Sequence, residues 1–265
     1  RVLFRSAIIP YVLERLMIWF YNSMDEIHVP TREYMDITEA RGYDRSKMKI
    51  FRRGLDCSFF SMKETGKTIP MERFGIRDGV TLLFTGRMSK DKNLDLLLEA
   101  YRRLSARRDN VNLLLVGDGP YIGTIRKAMH GYDRVVLTGK LEQAVLPEVY
   151  AGSDMFIFPS IADTFGMSVL EAQACGLPSI VSEAGGPKEI IIPGETGFVA
   201  SSTDVDEWVR TIEHVIDLME NDLEAYIDMR EKSRDNVLAN FNWGAVLAGL
   251  MGKRSSISGH EVHIA

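Results

Sequence analysis

Thiol chemistry is nearly absent from this chain. Cys57 and Cys175 are its only two cysteines in 265 residues, and no CxxC occurs. Two thiols make no disulfide framework, so a reducing cytoplasm is the expected setting. Long apolar runs are missing too: nothing reaches the roughly 18 residues of a membrane span. A basic excess is also missing, since the net charge is −5. Proteins that hold nucleic acid by neutralising phosphates carry such an excess, so no nucleic-acid partner is expected. The five histidines, at positions 28, 130, 214, 260 and 263, are scattered and form no metal-like cluster. The first residues show no signal-peptide pattern of basic start, apolar core and small-residue cleavage site.

What is present is a balance of 45% apolar and 26% charged residues, normal for a soluble globular protein. The length suffices for one large domain or two small ones. The chain opens on Arg1, and residues 12–21 are rich in large apolar side chains. They read as a helix, either from the core of a domain whose beginning was cut away or lying on a membrane surface. Glu14 and Arg15 deny it a strongly basic polar face, which favours the core helix. Its exposed side, over residues 8–20, is expected to be sticky, with self-association through it as one outcome.

A short strand with a turn is predicted at 25–31, a helix at 32–41 stopped by Gly42, and a second short strand at 47–51. Residues 52–60 read as a loop, and 63–79 as a linker or irregular surface segment. From Val80 the pattern becomes regular. Strands are predicted at 80–85, 111–116, 135–137, 155–158, 179–181 and 198–200. Helices are predicted at 94–104, 121–129, 146–151, 167–174 and 206–220. Apolar strands alternating with amphipathic helices mean an α/β fold, a Rossmann-like parallel sheet covered on both faces. Such a sheet receives ligands beyond the carboxyl ends of its strands. The tail from Gly252 onward is polar and reads as loosely held.

Three segments could carry chemistry. GRMSKDKNL, residues 86–94, follows the first regular strand and places Arg87 and Lys92 in a strand-to-helix loop. Two cations there can neutralise a pyrophosphate, and Arg offers a fork that grips two oxygens. Taken alone, the segment reads as readily as a solvated basic loop pairing with Asp91. VGDGP, residues 116–120, is a strand followed by a glycine turn. It is not GxGxxG, so a dinucleotide-binding dehydrogenase is poorly supported. Gly117 and Gly119 serve either a tight structural turn or a close backbone approach to a ligand.

The third segment is FPSIADTFGMSVLEAQACGLP, residues 158–178. A strand runs into a loop and then a helix, whose first N–H groups and dipole favour an anion. Asp163 and Glu171 stand eight positions apart, the first just outside the helix and the second more than a turn inside it. They could accept hydrogen bonds from sugar hydroxyls on either side of a phosphate. On residue type alone, Asp163 as a simple helix cap and Glu171 as an ordinary helix residue are the stronger reading.

These segments, in this order and spacing, resemble the family 4 retaining glycosyltransferases of GT-B fold. VSEAGGPKEIIIPGETGFVA (181–200) is similar to that family's GGPxEII and GxTGF loop. RRGLD, with Arg53, Gly54 and Asp56, looks like its junction between two domains. The resemblance covers about residues 25–241. It implies that residues 1–62 are the remnant of an acceptor domain plus the junction, 63–240 the nucleotide-sugar-binding domain, and 241–265 a C-terminal crossover helix and tail.

The resemblance also implies roles. Gly86, Arg87 and Lys92 match the loop that binds the donor diphosphate. Glu171 matches the second Glu of a paired-Glu motif that holds the ribose hydroxyls. Asp163 sits where the first Glu, the donor-sugar contact, usually stands; it keeps the charge but is one methylene shorter. Thr164, Phe165, Gly166 and Met167 match the backbone beneath the sugar and phosphates. Lys140 and Leu141 match the loop lining the base. Gly185 and Gly186 match a glycine pair near the donor pocket. The implied reaction moves a sugar from a UDP- or GDP-sugar to an acceptor hydroxyl of a glycan, lipid or small molecule, with retention. No metal or other cofactor is implied, and no DxD signal occurs in a donor loop. Arg87, Lys92 and the helix N-terminus would stabilise the leaving diphosphate. Asp163 is the only carboxylate placed to assist the anomeric carbon. A cytoplasmic place is implied, with a peripheral one at the inner membrane face as a second expectation. A non-catalytic nucleotide-sugar-binding module and an epimerase of related fold remain as alternatives.

Overall fold

The computed structural model describes residues 2–62 and 73–248, with side chains from Ile9 onward. The chain divides into two compact units, residues 1–52 and 53–265. Most of the expected linker 63–79 and the tail from Gly252 lie outside the described residues.

The first unit holds α1 (Val2–Asn22), β1 (Ile27–Val29), α2 (Arg32–Ala40) and β2 (Met48–Ile50). β1 and β2 pair in parallel, Ile27 opposite Met48. Thr31 caps α2 by accepting from the Tyr34 amide, a standard helix start. Its core is small: Ile27, Val29 and Met48, with Tyr34, Met35 and Tyr43 packed around them. Along α1, Ile9, Tyr11, Leu13, Leu16, Trp19 and Phe20 are all exposed, Trp19 by 71%. They fall within residues 8–20, the stretch expected to be sticky.

The second unit is a six-stranded sheet built from β3 (Val80–Thr85), β4 (Val111–Val116), β5 (Val135–Gly139), β6 (Met155–Phe158), β7 (Ser179–Ser182) and β8 (Gly197–Ala200). Every pairing is parallel. The order across the sheet is β5-β4-β3-β6-β7-β8. Every residue of β3, β4, β6 and β7 is buried, because helices cover both faces and a two-residue alternation has no solvent side to mark. The helices are α3 (Leu94–Ser105), α4 (Ile122–Ala128), α5 (Leu146–Ala151), α6 (Met167–Ala174), α7 (Val205–Asn221) and α8 (Leu223–Asn240). Leu94, Leu97, Leu98, Tyr101 and Leu104 of α3 are buried, at the spacing of one helix face.

The two halves of the sheet meet at β3 and β6. Asp154, directly before β6, clamps that seam. Its Oδ2 accepts from the Thr81 amide at 2.7 Å, and its own amide donates to the Thr81 carbonyl at 3.0 Å.

Three features depart from the sequence reading. α1 begins well before residue 12. α8, which follows α7 after a one-residue break, was not foreseen. Its buried positions are Tyr226, Met229, Ser233, Asn236 and Val237, so two polar residues interrupt the apolar stripe that marks a helix in sequence. The junction, residues 53–62, belongs to the second unit. Leu55 and Phe60 sit in its core, the Leu55 amide donates to the Phe241 carbonyl at 2.8 Å, and the Trp243 ring lies directly on Gly54. Residues 243–248 are helical, as expected for the start of the C-terminal helix.

Candidate functional site

Strand order decides where a site can form. Progressing from β3, one half of the sheet grows through β4 to β5, the other from β6 through β7 to β8. The connections leaving β3 and β6 therefore turn to opposite sides and open a crevice at the strands' carboxyl ends, the place where such sheets bind ligands. Two of the three segments singled out in sequence are those connections.

The loop after β3 is fixed from below. Gly86 donates to the Val116 carbonyl at 3.0 Å, Met88 to the Asp118 carbonyl at 2.9 Å, and Tyr121 back to the Met88 carbonyl at 2.9 Å. A Cβ on Gly117 would lie 1.9 Å from the Gly86 carbonyl oxygen, and one on Gly119 2.4 Å from that of Met88. The VGDGP glycines therefore let two backbones touch; their close approach is to the neighbouring loop. Met88 is fully buried beneath it.

Upon this platform stand Arg87 and Lys92. The Arg87 side chain is exposed and forms no ion pair among the described residues. Lys92 is well covered, its side chain 14% exposed. Its Nζ binds Asp163 Oδ2, lies 3.7 Å from Asp91 Oδ2 and rests 5.6 Å from the Phe158 ring centroid, within cation–π range. The pairing with Asp91 expected of a plain basic loop is thus the longer contact. The Asp91 carbonyl joins the two loops, accepting from the Ile161 amide at 3.1 Å and the Ser160 hydroxyl at 3.3 Å.

The loop after β6 leads into α6. Asp163 does not cap that helix. The cap position is Gly166, in the left-handed region at φ 95° and ψ 59°, with no side-chain hydrogen bond to the first turn. A Cβ there would also strike Pro187 at 2.8 Å. The Val169 and Leu170 amides donate to the Gly166 carbonyl at 3.1 and 3.2 Å, and no side chain caps the N–H groups ahead of them. The GGP loop backs this turn, with the Gly186 amide donating to the Asp163 carbonyl at 2.8 Å.

These parts enclose a recess of 290 Å³ lined by Arg53, Gly86, Arg87, Lys92, Phe158, Asp163, Thr164, Phe165, Gly166, Met167 and Ser168. All of the expected residues of the β3 and β6 loops are gathered there. Phe158 and Ser168 were not foreseen as site residues, Phe158 because it reads as an ordinary core strand residue. Arg53, expected only as part of the junction, joins the lining from residues 53–62.

Glu171, Lys140 and Leu141 do not line the recess. Lys140 and Leu141 follow Gly139 at the end of β5, with Lys140 exposed and Leu141 packed against the core. Glu171 lies one turn deeper in α6. Its Oε2 accepts from the Tyr150 hydroxyl at 2.9 Å. That hydroxyl lies 2.6 Å from Thr85 Oγ1. Burial pushes the Glu171 carboxyl above the usual carboxylate range, and the tyrosine hydrogen bond opposes part of that rise. Burial, with the Glu171 charge beside it, drives the Tyr150 hydroxyl well above the ordinary tyrosine range. Among the described residues no group of three or more His, Cys, Asp or Glu could hold a metal ion. No helix described is long and apolar enough to cross a membrane.

Fold and site together define a doubly wound α/β domain whose crevice holds two cations beside a helix start that no side chain caps. The chain belongs to the glycosyl transferases group 1, whose family description matches residues 71–236. It is 30% identical over 186 residues to the sulfoquinovosyl transferase SQD2 of Arabidopsis thaliana, covering 68% of this chain and 36% of that protein. It is 30% identical over 214 residues to a GDP-mannose-dependent α-(1-6)-phosphatidylinositol monomannoside mannosyltransferase of Mycolicibacterium smegmatis, covering 76% of this chain and 55% of that one. Among solved structures it is similar to Anabaena HepE in complex with UDP-glucose: TM-score 0.80 at 19% identity, over 92% of this chain and 67% of that one. The chain thus spans about half the length or less of these curated relatives. Neither alternative, a mere binding module or an epimerase, is favoured by this membership.

Proposed function

We propose that these residues bind the donor of a glycosyltransferase: a UDP- or GDP-sugar whose sugar passes, with retention, to an acceptor hydroxyl of a glycan, lipid or small molecule. One observation carries the reading. Arg87 and Lys92 converge with the uncapped start of α6 on one recess at the reversal of strand order. A diphosphate set there meets two cations and free backbone donors together. As the glycosidic bond breaks, charge grows on the departing diphosphate, and groups already in place stabilise it without reorganising. Asp163, facing the same recess, meets the donor sugar. Glu171, deeper in α6, meets the ribose hydroxyls, with Lys140 and Leu141 beside the base. The cations do the work a metal would otherwise do, so the reading needs no metal. It assigns these 265 residues no acceptor pocket, and expects little transfer from them alone, because positioning both reactants is a large part of such catalysis.

Calorimetry with UDP and with GDP, each with and without EDTA, tests the reading. Binding of one nucleotide, unchanged by EDTA, is expected. Binding that vanishes with EDTA overturns the metal-free part, and no binding of either nucleotide overturns the whole.

A further inference from the structure

A buried hydroxyl chain runs beneath the crevice, and nothing in the reading above uses it. Thr85 is the last residue of β3, immediately before Gly86 and Arg87. Glu171 is on α6. Tyr150, at the end of α5, reaches both, with its hydroxyl 2.6 Å from Thr85 Oγ1 and 2.9 Å from Glu171 Oε2. It thereby ties together the two walls of the crevice. The ring cannot be elsewhere: it is fully buried, with the Phe60 and Phe156 rings edge-on at 6.1 Å and 5.8 Å.

Proton counting orients the chain. A tyrosine hydroxyl has one proton, and an ionised carboxylate can only accept. The Tyr150 proton therefore goes to Glu171, and Thr85 donates its own to the tyrosine oxygen. One carboxylate oxygen is thus engaged from behind. The other, Oε1, has no hydrogen-bond partner among the described residues, and Glu171 remains partly exposed. A carboxylate on an unbranched stem would otherwise sample several rotamers; one held at Oε2 presents Oε1 in a fixed direction.

Resting on the donor-binding reading above, we propose that Tyr150 is a positioning residue: anchored by Thr85, it holds Glu171 so that its free oxygen accepts from the vicinal hydroxyls of a nucleotide ribose. The hydroxyl chain also keeps a partly desolvated carboxylate ionised, because a hydrogen bond to the charged form favours that form.

The test compares UDP and GDP with their 2′,3′-dideoxy counterparts by calorimetry across pH, on the wild-type chain, Tyr150→Phe, the Thr85→Val/Tyr150→Phe double variant and Glu171→Gln. The wild type is expected to prefer the ribonucleotide by about tenfold or more, the value of one charge-assisted hydrogen bond. Tyr150→Phe should lose most of that preference while binding the dideoxy nucleotide as before. The double variant leaves no unpaired threonine hydroxyl, so it should show the same loss in a chain that folds normally. In the wild type the preference should fade as pH falls and Glu171 takes up a proton. In Tyr150→Phe whatever remains should fade at a higher pH, because the ionised form has lost its donor. A purely structural tyrosine would not move that midpoint. An unchanged preference with an unchanged midpoint in both tyrosine variants overturns the proposal. A Glu171→Gln chain that keeps full ribose preference overturns instead the assignment of Glu171, and the proposal with it.

Discussion

Two carboxylates flank the first turns of α6, and they live under opposite conditions. Asp163 faces the recess and is matched by a cation, Lys92. Glu171 is half-buried, is matched among the described residues by one hydroxyl, that of Tyr150, and is pushed above its ordinary range by burial. The same chemical group, eight positions along one segment, is in one place a partner for a charge and in the other a desolvated acceptor. The difference teaches that the spacing of acids along a chain says little about their work. What each can do is set by what the other strands of the sheet bring to it, a lysine from the β3 loop or a tyrosine from α5.

The comparison breaks most visibly at Lys92. If that lysine is the shared partner of Asp163 and an incoming diphosphate, Lys92→Ala should weaken UDP or GDP binding by about 10- to 100-fold, the range of a charge-assisted hydrogen bond. A variant that binds as the wild type does would remove Lys92 from the phosphate site. A smaller effect, of opposite sign, is expected at its partner. Asp163→Asn frees Lys92 from a competing charge, so the bare diphosphate should bind up to about fivefold tighter, in keeping with ~0.2–1 kcal/mol for a partly exposed pair. Its advantage for the sugar nucleotide over the bare nucleotide should shrink. Weaker binding of the bare nucleotide by Asp163→Asn would show that the pair organises the lysine and does not compete for it.

The smallest effect concerns stability. The folded carboxyl of Glu171 is raised above its unfolded value, so between the two the folded state holds more proton than the unfolded state. Its contribution is then favourable at low pH and lost as pH rises through the folded value. Glu171→Gln removes that loss. Its Tm should exceed the wild type's near pH 7, with the gap closing toward pH 4. Equal Tm differences at both pH values would show that Glu171 is not desolvated in solution.

Sequence made the frame of this site readable, and its wiring unreadable. The β3 and β6 loops stand out because each follows an uninterrupted apolar strand and precedes an amphipathic helix. The parallel sheet follows from the same alternation. Strand order leaves no local mark, so the meeting of those two loops at one crevice was visible only through resemblance. Lys92 and Asp163 are 71 positions apart, and Tyr150 and Glu171 are 21 apart. Tyr150 reads in sequence as one more large side chain in a short helix. α8 escaped notice because Ser233 and Asn236 take core positions, where Ser233 donates to the Thr196 carbonyl at 3.0 Å and Asn236 to that of Ile190 at 2.8 Å. The VGDGP glycines read equally as turn or ligand cradle; only the atoms of Gly86 and Met88 above them decide for packing.

The seam between β3 and β6 has a further consequence, in chain entropy. Each other adjacent pair joins strands close in sequence, such as Val80 with Val111, or Ser179 with Gly197. The seam joins Leu82 to Met155, a far larger loop, and closing a loop costs more the longer it is, though only logarithmically. Either trio of strands can zip up from near neighbours, but neither trio alone contains a crevice. Arg87 and Lys92 ride on one trio, Asp163 and the open start of α6 on the other. The binding recess therefore exists only once the costliest loop closure in the sheet has been made, so that an intact recess reports the completed sheet.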